Sequence, residues 1–365
     1  MNVLAGDIGG TKTWLQIADC SSLQQVPNGN HAVQDPINQQ DARHASFSVV
    51  FERRYDSAQY SSFDSLLGEF FNDAVDEGVS LPELGCIGVA GPVDIDADGV
   101  CVAKVTNLPW WLDTKDLASK FSLQRLHLIN DFEAVAYGIA ALNSDEILVI
   151  QAAAVPKCRT QAPQVVIGAG TGLGQAMMVW CGDAGTGAGY FDVITSEGGH
   201  ADFAPGSNEQ RDLLCFLGKR QSRVCVEDVL SGHGLVNVYQ FFADKYPRDV
   251  SESLQQAMAL GDAAAAISEA ALSGSDSLAD RALRLFVEIY GTQAGNLALT
   301  CVASGGVYIA GGIAPKIRER FSDGVFLKAF ADKGPMQDMM KKIPVKLVLN
   351  PQVGLKGAAL VASRF

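Results

Sequence analysis

Two glycine-rich turns, each set between short apolar runs, constrain this chain more than any other feature. The first, Gly6-Asp7-Ile8-Gly9-Gly10-Thr11, lies between Val3-Leu4-Ala5 and Trp14-Leu15-Gln16-Ile17-Ala18. The second, Gly168-Ala169-Gly170-Thr171-Gly172-Leu173-Gly174, lies between Val165-Val166-Ile167 and Gln175-Ala176-Met177-Met178-Val179-Trp180. Apolar runs on both sides of a tight glycine turn predict β-hairpins. Glycine lets the backbone reach positive φ and lets a ligand come close. Successive exposed N–H groups in such a turn form an anion-binding nest. Two such hairpins, about half the chain apart, predict two related half-molecules that hold one polyphosphate between them.

Neither turn is a Walker A loop, which needs Gly-Lys-Ser/Thr after four spacer residues; here Thr11 precedes Lys12. Nor does the second fit GxGxxG, because the sixth residue from Gly168 is Leu173. Glycine motifs are promiscuous and a hairpin needs no ligand. The weight therefore comes from the pair, and from Ala310-Gly311-Gly312, where a further apolar run ends in glycines.

The chain has 365 residues, of which 48% are hydrophobic, enough for two domains with sizeable cores. A net charge of -13 argues against nucleic acid and anionic membranes as partners. It does not exclude a phosphorylated ligand held by local loops and a metal. The eight cysteines form no CxxC pair, the first residues show no basic segment leading into an apolar one, and no apolar run reaches membrane-spanning length. A cytoplasmic protein with reduced thiols is expected.

Residues 21–46 are polar and read as an extended loop. Residues 47–51 alternate like a strand, 63–79 carry a helical apolar stripe, and 85–90 form a buried strand closed by Gly91-Pro92. A strand at 126–129 runs into a helix at 132–142. Residues 152–164 read as a second surface loop and 181–190 as a glycine-rich hairpin tip. Helices are expected at 254–272 and 278–300, a strand at 307–313, a helical turn starting near Pro315, a last strand at 346–349 and a last helix at 354–363. Alternating strands and helices make this an α/β chain.

Three places carry chemistry. Asp7 ends the first strand inside the glycine turn, where a carboxylate can hold Mg²⁺ beside phosphates; a turn aspartate can also bond its own backbone. Asn130-Asp131 follows a strand and opens a helix. That is ordinary capping, and also a place from which Asp131 can accept a hydroxyl proton in phosphoryl transfer. Glu197-Gly198-Gly199-His200 pairs an acid with an imidazole, a set that suits a polyol together with Asn107, Asn130 and Glu227. Cys215 and Cys225 have no tight metal spacing with His200, so zinc is not expected.

Six motifs occur in order: Gly6-Asp-Ile-Gly-Gly-Thr11, Leu128-Ile-Asn-Asp-Phe132, Gly168-Ala-Gly-Thr-Gly-Leu-Gly174, Glu197-Gly-Gly-His-Ala-Asp-Phe-Ala-Pro205, Leu230-Ser-Gly-His-Gly-Leu-Val-Asn237 and Ala310-Gly-Gly-Ile-Ala-Pro315. Together they resemble the single-chain, ATP-dependent bacterial glucokinases over nearly the whole length. The resemblance implies an actin/hexokinase-like α/β fold of two domains, each on a ribonuclease-H-like sheet, flanking a deep cleft. The small domain would be 1–142 completed by 348–365, and the large one 143–347. It implies transfer of the γ-phosphoryl of MgATP to the 6-hydroxyl of glucose, with Asp131 as base and Asn130, Glu197, His200 and Glu227 on the sugar. Gly6, Asp7, Ile8, Gly9, Gly10 and Thr11 would cradle the ATP phosphates and Gly168, Gly170, Thr171 and Gly172 would form a second phosphate loop. Gly311 and Gly312 would lie near the adenosine, and Asp7 would face Mg²⁺ through water. A homodimer with glucose and ATP as small-molecule partners is implied.

Lys12 is more typical of the sister ROK kinases, but these also carry a zinc-binding CxCGxxGC segment after the histidine, where this chain has Ala201-Asp202-Phe203-Ala204-Pro205. A kinase of another hexose would share every motif but the fine pocket. A ROK-type repressor would need a helix-turn-helix ahead of a first strand that begins near residue 2. An actin-like ATPase would not need the polyol set. A buried polyol site is expected to reject epimers, because a wrong hydroxyl leaves a charged partner unpaired.

Overall fold

The computed structural model describes residues 1–21, 47–97, 99–153, 161–182 and 189–365. The expectations for 22–46 and for the centres of the loops at 152–164 and 181–190 lie outside the described residues. The chain divides into two units, one of residues 1–146 with 350–365 and one of residues 147–349.

In the first unit β1 (Asn2–Ile8) and β2 (Lys12–Asp19) form the expected hairpin, pairing from Asn2 with Asp19 to Ile8 with Thr13. β3 (Ser48–Asp56) extends it antiparallel. After α1 (Phe63–Asp76), β4 (Leu84–Val89) lies parallel to β1. A small antiparallel sheet of β5 (Val93–Ile95), β6 (Cys101–Lys104) and β7 (Trp111–Asp113) follows, then α2 (Thr114–Phe121). β8 (Arg125–Asn130) pairs parallel to β4 and leads directly into α3 (Asp131–Gly138). The sheet order is β3-β2-β1-β4-β8.

Period-two alternation sends side chains to both faces of this sheet. Leu4, Ile8, Leu15 and Ile17 bury against Phe63, Leu66, Phe70 and Leu117 of α1 and α2. Val3, Ala5, Ala18 and Cys86 face Ala134 of α3 and Leu355, Ala358 and Ala359 of α11 (Val353–Ala362). Small residues dominate the second face, so α3 and α11 come very close. A Cβ at Gly138 would stand 1.9 Å from the Val353 carbonyl oxygen, and one at Gly357 would stand 1.8 Å from that of Ala134.

The second unit repeats the plan. β10 (Gln164–Ala169), β11 (Leu173–Gly182) and β12 (Gly189–Ser196) form successive antiparallel pairs, with Gly182 against Gly189. β13 (Gly306–Ala310) lies parallel to β10, and β14 (Val345–Val348) parallel to β13. β9 (Ile147–Gln151) closes the far edge antiparallel to β14. The order β12-β11-β10-β13-β14 matches that of the first sheet. Helices α4 (Asn208–Gly218), α5 (Gly232–Lys245), α6 (Glu252–Leu260), α7 (Ala263–Ser273), α8 (Ser277–Cys301), α9 (Val325–Ala331) and α10 (Gln337–Met340) complete the unit.

Four expectations change. The strand expected over 307–313 ends at Ala310, because Gly311 turns the chain with φ +81°. The single helix expected over 254–272 is two, because Asp262 accepts the N–H groups of Ala264 and Ala265 and caps a new helix there. The helix expected over 132–142 starts one residue earlier and tightens to a 3₁₀ turn at Ile139–Ala141. Pro315 opens a 3₁₀ segment, Ala314–Phe321, rather than an α-helix. Among the described residues no helix is long and apolar enough to cross a membrane.

Candidate active site

In the first unit the candidate groups follow the C-terminal ends of three parallel strands. Ile8, Val89 and Asn130 stand side by side in the register of β1, β4 and β8. Ligands of open α/β sheets bind beyond such ends. The turn after β1 closes with the Gly9 N–H on the Lys12 carbonyl oxygen at 2.9 Å. Ser57 braces it, donating its N–H to the Thr11 carbonyl oxygen at 3.0 Å and its hydroxyl to that of Gly9 at 3.1 Å. Thr11 is exposed. The side of Gly6 faces Leu15 and Ile87, and Ile8 is fully buried, so these two support the turn from below.

Asn130 is the N-cap of α3. Its Oδ1 accepts the N–H groups of Phe132 (2.9 Å) and Glu133 (3.3 Å), and its Nδ2 donates to the Gly91 carbonyl oxygen at 3.2 Å. Glu133 returns the favour to the Asn130 N–H, completing a capping box. Asp131 is thereby the first helical residue, with Oδ1 accepting the Phe132 N–H at 2.8 Å. The helix N-terminus favours its anionic form. Asp7 is different: burial, and then the nearby charge of Asp131, push its carboxyl up to about 7 from the ordinary 3.8. Two neighbouring carboxylates of this kind call for a shared proton or a cation.

Asn107, expected beside the sugar, stands on the glycine turn. A Cβ on Gly10 would meet the Thr106 carbonyl oxygen at 3.0 Å and the Asn107 Cβ at 3.4 Å. Asn107 itself has φ +64°, and its loop is held by the Thr106 N–H on the Ala90 carbonyl oxygen at 2.9 Å.

In the second unit the glycine turn and the acid–imidazole turn are joined through Glu227. Its carboxylate Oε2 accepts the Leu173 N–H at 2.7 Å, and its own N–H donates to the Gly199 carbonyl oxygen at 2.9 Å. A side chain at Gly172 would collide with that carboxylate, standing 2.6 Å from Oε2. The Gly232 N–H, at the start of α5, donates to the Gly170 carbonyl oxygen at 2.8 Å. Gly170, Thr171 and Gly172 thus form a tight, braced tip. Glu197 and His200 project from a 3₁₀ turn after β12, with Oε2 and Nε2 4.0 Å apart. Their side chains are 82% and 60% exposed. Gly168 lies within β10, paired with Gly174 and Ala310. Gly311 needs its glycine twice over, for φ +81° and because a Cβ would stand 2.5 Å from the Ala169 carbonyl oxygen. Gly312 has open space on its side.

Sequence reasoning missed Ser57, Gly91 and the Leu173 amide. None carries a local signal, since each acts on residues far away in the chain.

A family model described as Glucokinase matches residues 4–365. The chain is 40% identical to the glucokinase of Trichormus variabilis, over 99% of each chain. Its fold is similar to the crystal structure of a glucokinase from an Antarctic psychrotroph, with a TM-score of 0.78 and 29% identity over 100% of this chain and 99% of that one. It is also similar, at a TM-score of 0.61 and 19% identity over the full length of both chains, to a ROK family glucokinase from Streptomyces griseus solved with glucose and AMPPNP. With a family model spanning all but its first three residues and a full-length relative at this identity, the chain belongs to the glucokinase family.

Proposed function

We propose that the chain transfers the γ-phosphoryl group of ATP to the 6-hydroxyl of glucose, with Asp131 as the base. The observation that carries this reading is Asp131 itself: a carboxylate at the first turn of α3, at a strand's C-terminal end, level with the braced glycine turn and next to Asp7. The O6 proton passes to the Asp131 carboxylate, O6 bonds to the γ-phosphorus, and the bond to the β,γ-bridging oxygen breaks to release ADP. An aspartate stabilised by a helix N-terminus is a weak base, but a loose transition state needs little proton transfer until late. Most of the acceleration then comes from positioning and from fixed amide dipoles.

Gly10, Thr11, Thr171 and Gly172 supply backbone amides to the phosphates, Gly9 and Gly170 shape the two turns with N–H groups bonded inside them, and Gly311 with Gly312 accepts the adenosine side of the nucleotide. Asn130, Glu197, His200 and Glu227 bind sugar hydroxyls. The donor set fits Mg²⁺ held through water at Asp7, whose raised carboxyl wants a cation. Among the described residues no group of three His, Cys, Asp or Glu is arranged to hold a metal, so phosphates and water would complete the shell. When bound, the ion supplies charge neutralisation at the phosphates. The same reading makes the chain a cytoplasmic homodimer, which sedimentation analysis checks.

Steady-state assays with MgATP and glucose, mannose, fructose or N-acetylglucosamine, with a sugar-free control, test the reaction. Strong glucose turnover with little free ATP hydrolysis is expected; hydrolysis independent of sugar would overturn the kinase reading. Asp131→Asn is expected to bind glucose normally while kcat falls on the order of 10²- to 10⁴-fold. Wild-type turnover in that variant would remove Asp131 from the role.

A further inference from the structure

The strands β10 and β13 pair in parallel up to Gly168 opposite Ala310, where the ladder ends and each chain turns into its own glycine loop. One runs on into Gly170, Thr171 and Gly172, the other into Gly311 and Gly312. The hydroxyl of Tyr290, from the middle of α8, sits in this fork. It accepts the Ala169 N–H at 3.1 Å and donates toward the carbonyl oxygens of Ala310 (3.3 Å) and Ile167 (3.4 Å). A phenol carries one proton and two lone pairs, so a single group serves the ends of both strands.

Its environment makes the arrangement rigid. Tyr290 has no exposed surface, and its ring is met edge-on by Phe286, Phe321 and Phe326 at 6.1, 5.8 and 6.1 Å. Ala169 is the shared neighbour of the whole fork. Its N–H is on Tyr290, its carbonyl oxygen accepts the Ile313 N–H at 3.2 Å, and Gly311 packs directly on it. A buried hydroxyl is costly unless bonded, and an apolar residue would fill the same space without that cost. Burial also raises the phenol's pKa, so the donor persists through neutral pH.

We propose that Tyr290 is a positioning residue for the nucleotide, holding the loop at 170–172 and the loop at 311–312 at the separation one nucleotide spans. This rests on the reading of those two loops as the nucleotide's, and the test separates the two ideas. Tyr290→Phe keeps the ring and removes only the hydroxyl. KM for ATP is expected to rise roughly three- to tenfold, with KM for glucose unchanged. Phe242→Leu, in the same core but away from the fork, controls for general loss of stability and is expected to leave both KM values alone. Gly170→Ala and Gly312→Ala test the loops, because a Cβ at either meets nothing within 4 Å in the protein and can only obstruct a ligand. If these two raise KM for ATP while Tyr290→Phe does not, the positioning role is refuted. If Tyr290→Phe and Phe242→Leu raise both KM values alike, the hydroxyl is merely structural and the proposal falls. If Gly170→Ala and Gly312→Ala leave KM for ATP unchanged, the nucleotide reading fails and takes the proposal with it.

Discussion

Gly357→Ala replaces a hydrogen with a methyl where α11 crosses α3. The new Cβ would stand 1.8 Å from the Ala134 carbonyl oxygen and 2.7 Å from the Gly138 nitrogen. An ordinary carbon–oxygen contact is about 3.3 Å, so the helices must part by roughly 1.5 Å. Both atoms struck are backbone, and no rotamer change relieves them. Overpacking of this kind costs about 1–3 kcal/mol and more when the backbone must move. Alanine's better helix propensity returns about 1 kcal/mol. With the cost at the upper end of that range, because only backbone can move, a net loss of about 2 kcal/mol follows, or roughly 4–8 °C in Tm. Function suffers separately. Ala134 is one turn from Asp131, and α3 already rests on β4, where a Cβ on Gly88 would lie 3.1 Å from the Ala134 Cβ and 3.5 Å from the Asp131 Cα. The helix therefore cannot yield toward the sheet, and with Asp131 as the proposed base a displacement of about 1 Å there is expected to cost on the order of 10²-fold in kcat. Gly68→Ala in α1 is the matched control. Its Cβ would meet only the Phe121 ring at 3.7 Å, so it should gain about 0.5–1 kcal/mol and keep its kcat. Thermal melts by circular dichroism and kcat at saturating substrates, both taken well below the transition, decide the matter. A Gly357→Ala protein that melts at or above wild type and turns over normally would refute the close-crossing argument.

Asp7 has a raised native carboxyl, about 7 against 3.8, so the native state binds more protons than the unfolded chain between those values. Stability is therefore expected to fall as pH rises from about 4 to 7 and to level off above that. The full difference amounts to about 2–4 kcal/mol, the lower part of that range allowing for the side chain's partial exposure. Asp7→Asn should abolish that slope and be the more stable protein at pH 8 without ligands; parallel urea titrations across pH with identical slopes for both proteins would contradict it. Glu227→Gln keeps an oxygen for the Leu173 N–H but loses the charge that strengthens the bond. Because that carboxylate anchors the glycine turn and is proposed to bind the sugar as well, KM for glucose and KM for ATP should rise together, unlike the ATP-only effect expected of Tyr290→Phe. A rise confined to glucose would show that the anchor does not matter to the nucleotide.

Local chemistry was legible in the residues. Turn glycines between apolar runs read as the β1–β2 and β10–β11 hairpins, since a hairpin is decided by the few residues at its turn and the alternation beside it. Asn130-Asp131 read as a helix start for the same reason: a cap acts over three or four residues, here on Phe132 and Glu133. The limits were equally physical. Asp262 splits an alanine-rich stretch whose periodicity runs straight through it, so periodicity alone joined α6 to α7.

The sequence by itself therefore determined the α/β class, the glycine turns and the chemical types offered to phosphate and sugar, because propensity, alternation and capping operate between near neighbours. Tertiary structure alone decided what those groups face. It buried the Asp7 carboxyl and set it near Asp131, which together lift its pKa, stood Asn107 on Gly10, and tied Glu227 to Leu173. It brought Gly357 onto Ala134 and threaded Tyr290 into a fork 121 residues away from it in the chain. Such contacts arise only when whole sheets and helices pack, and no spacing along the chain encodes them.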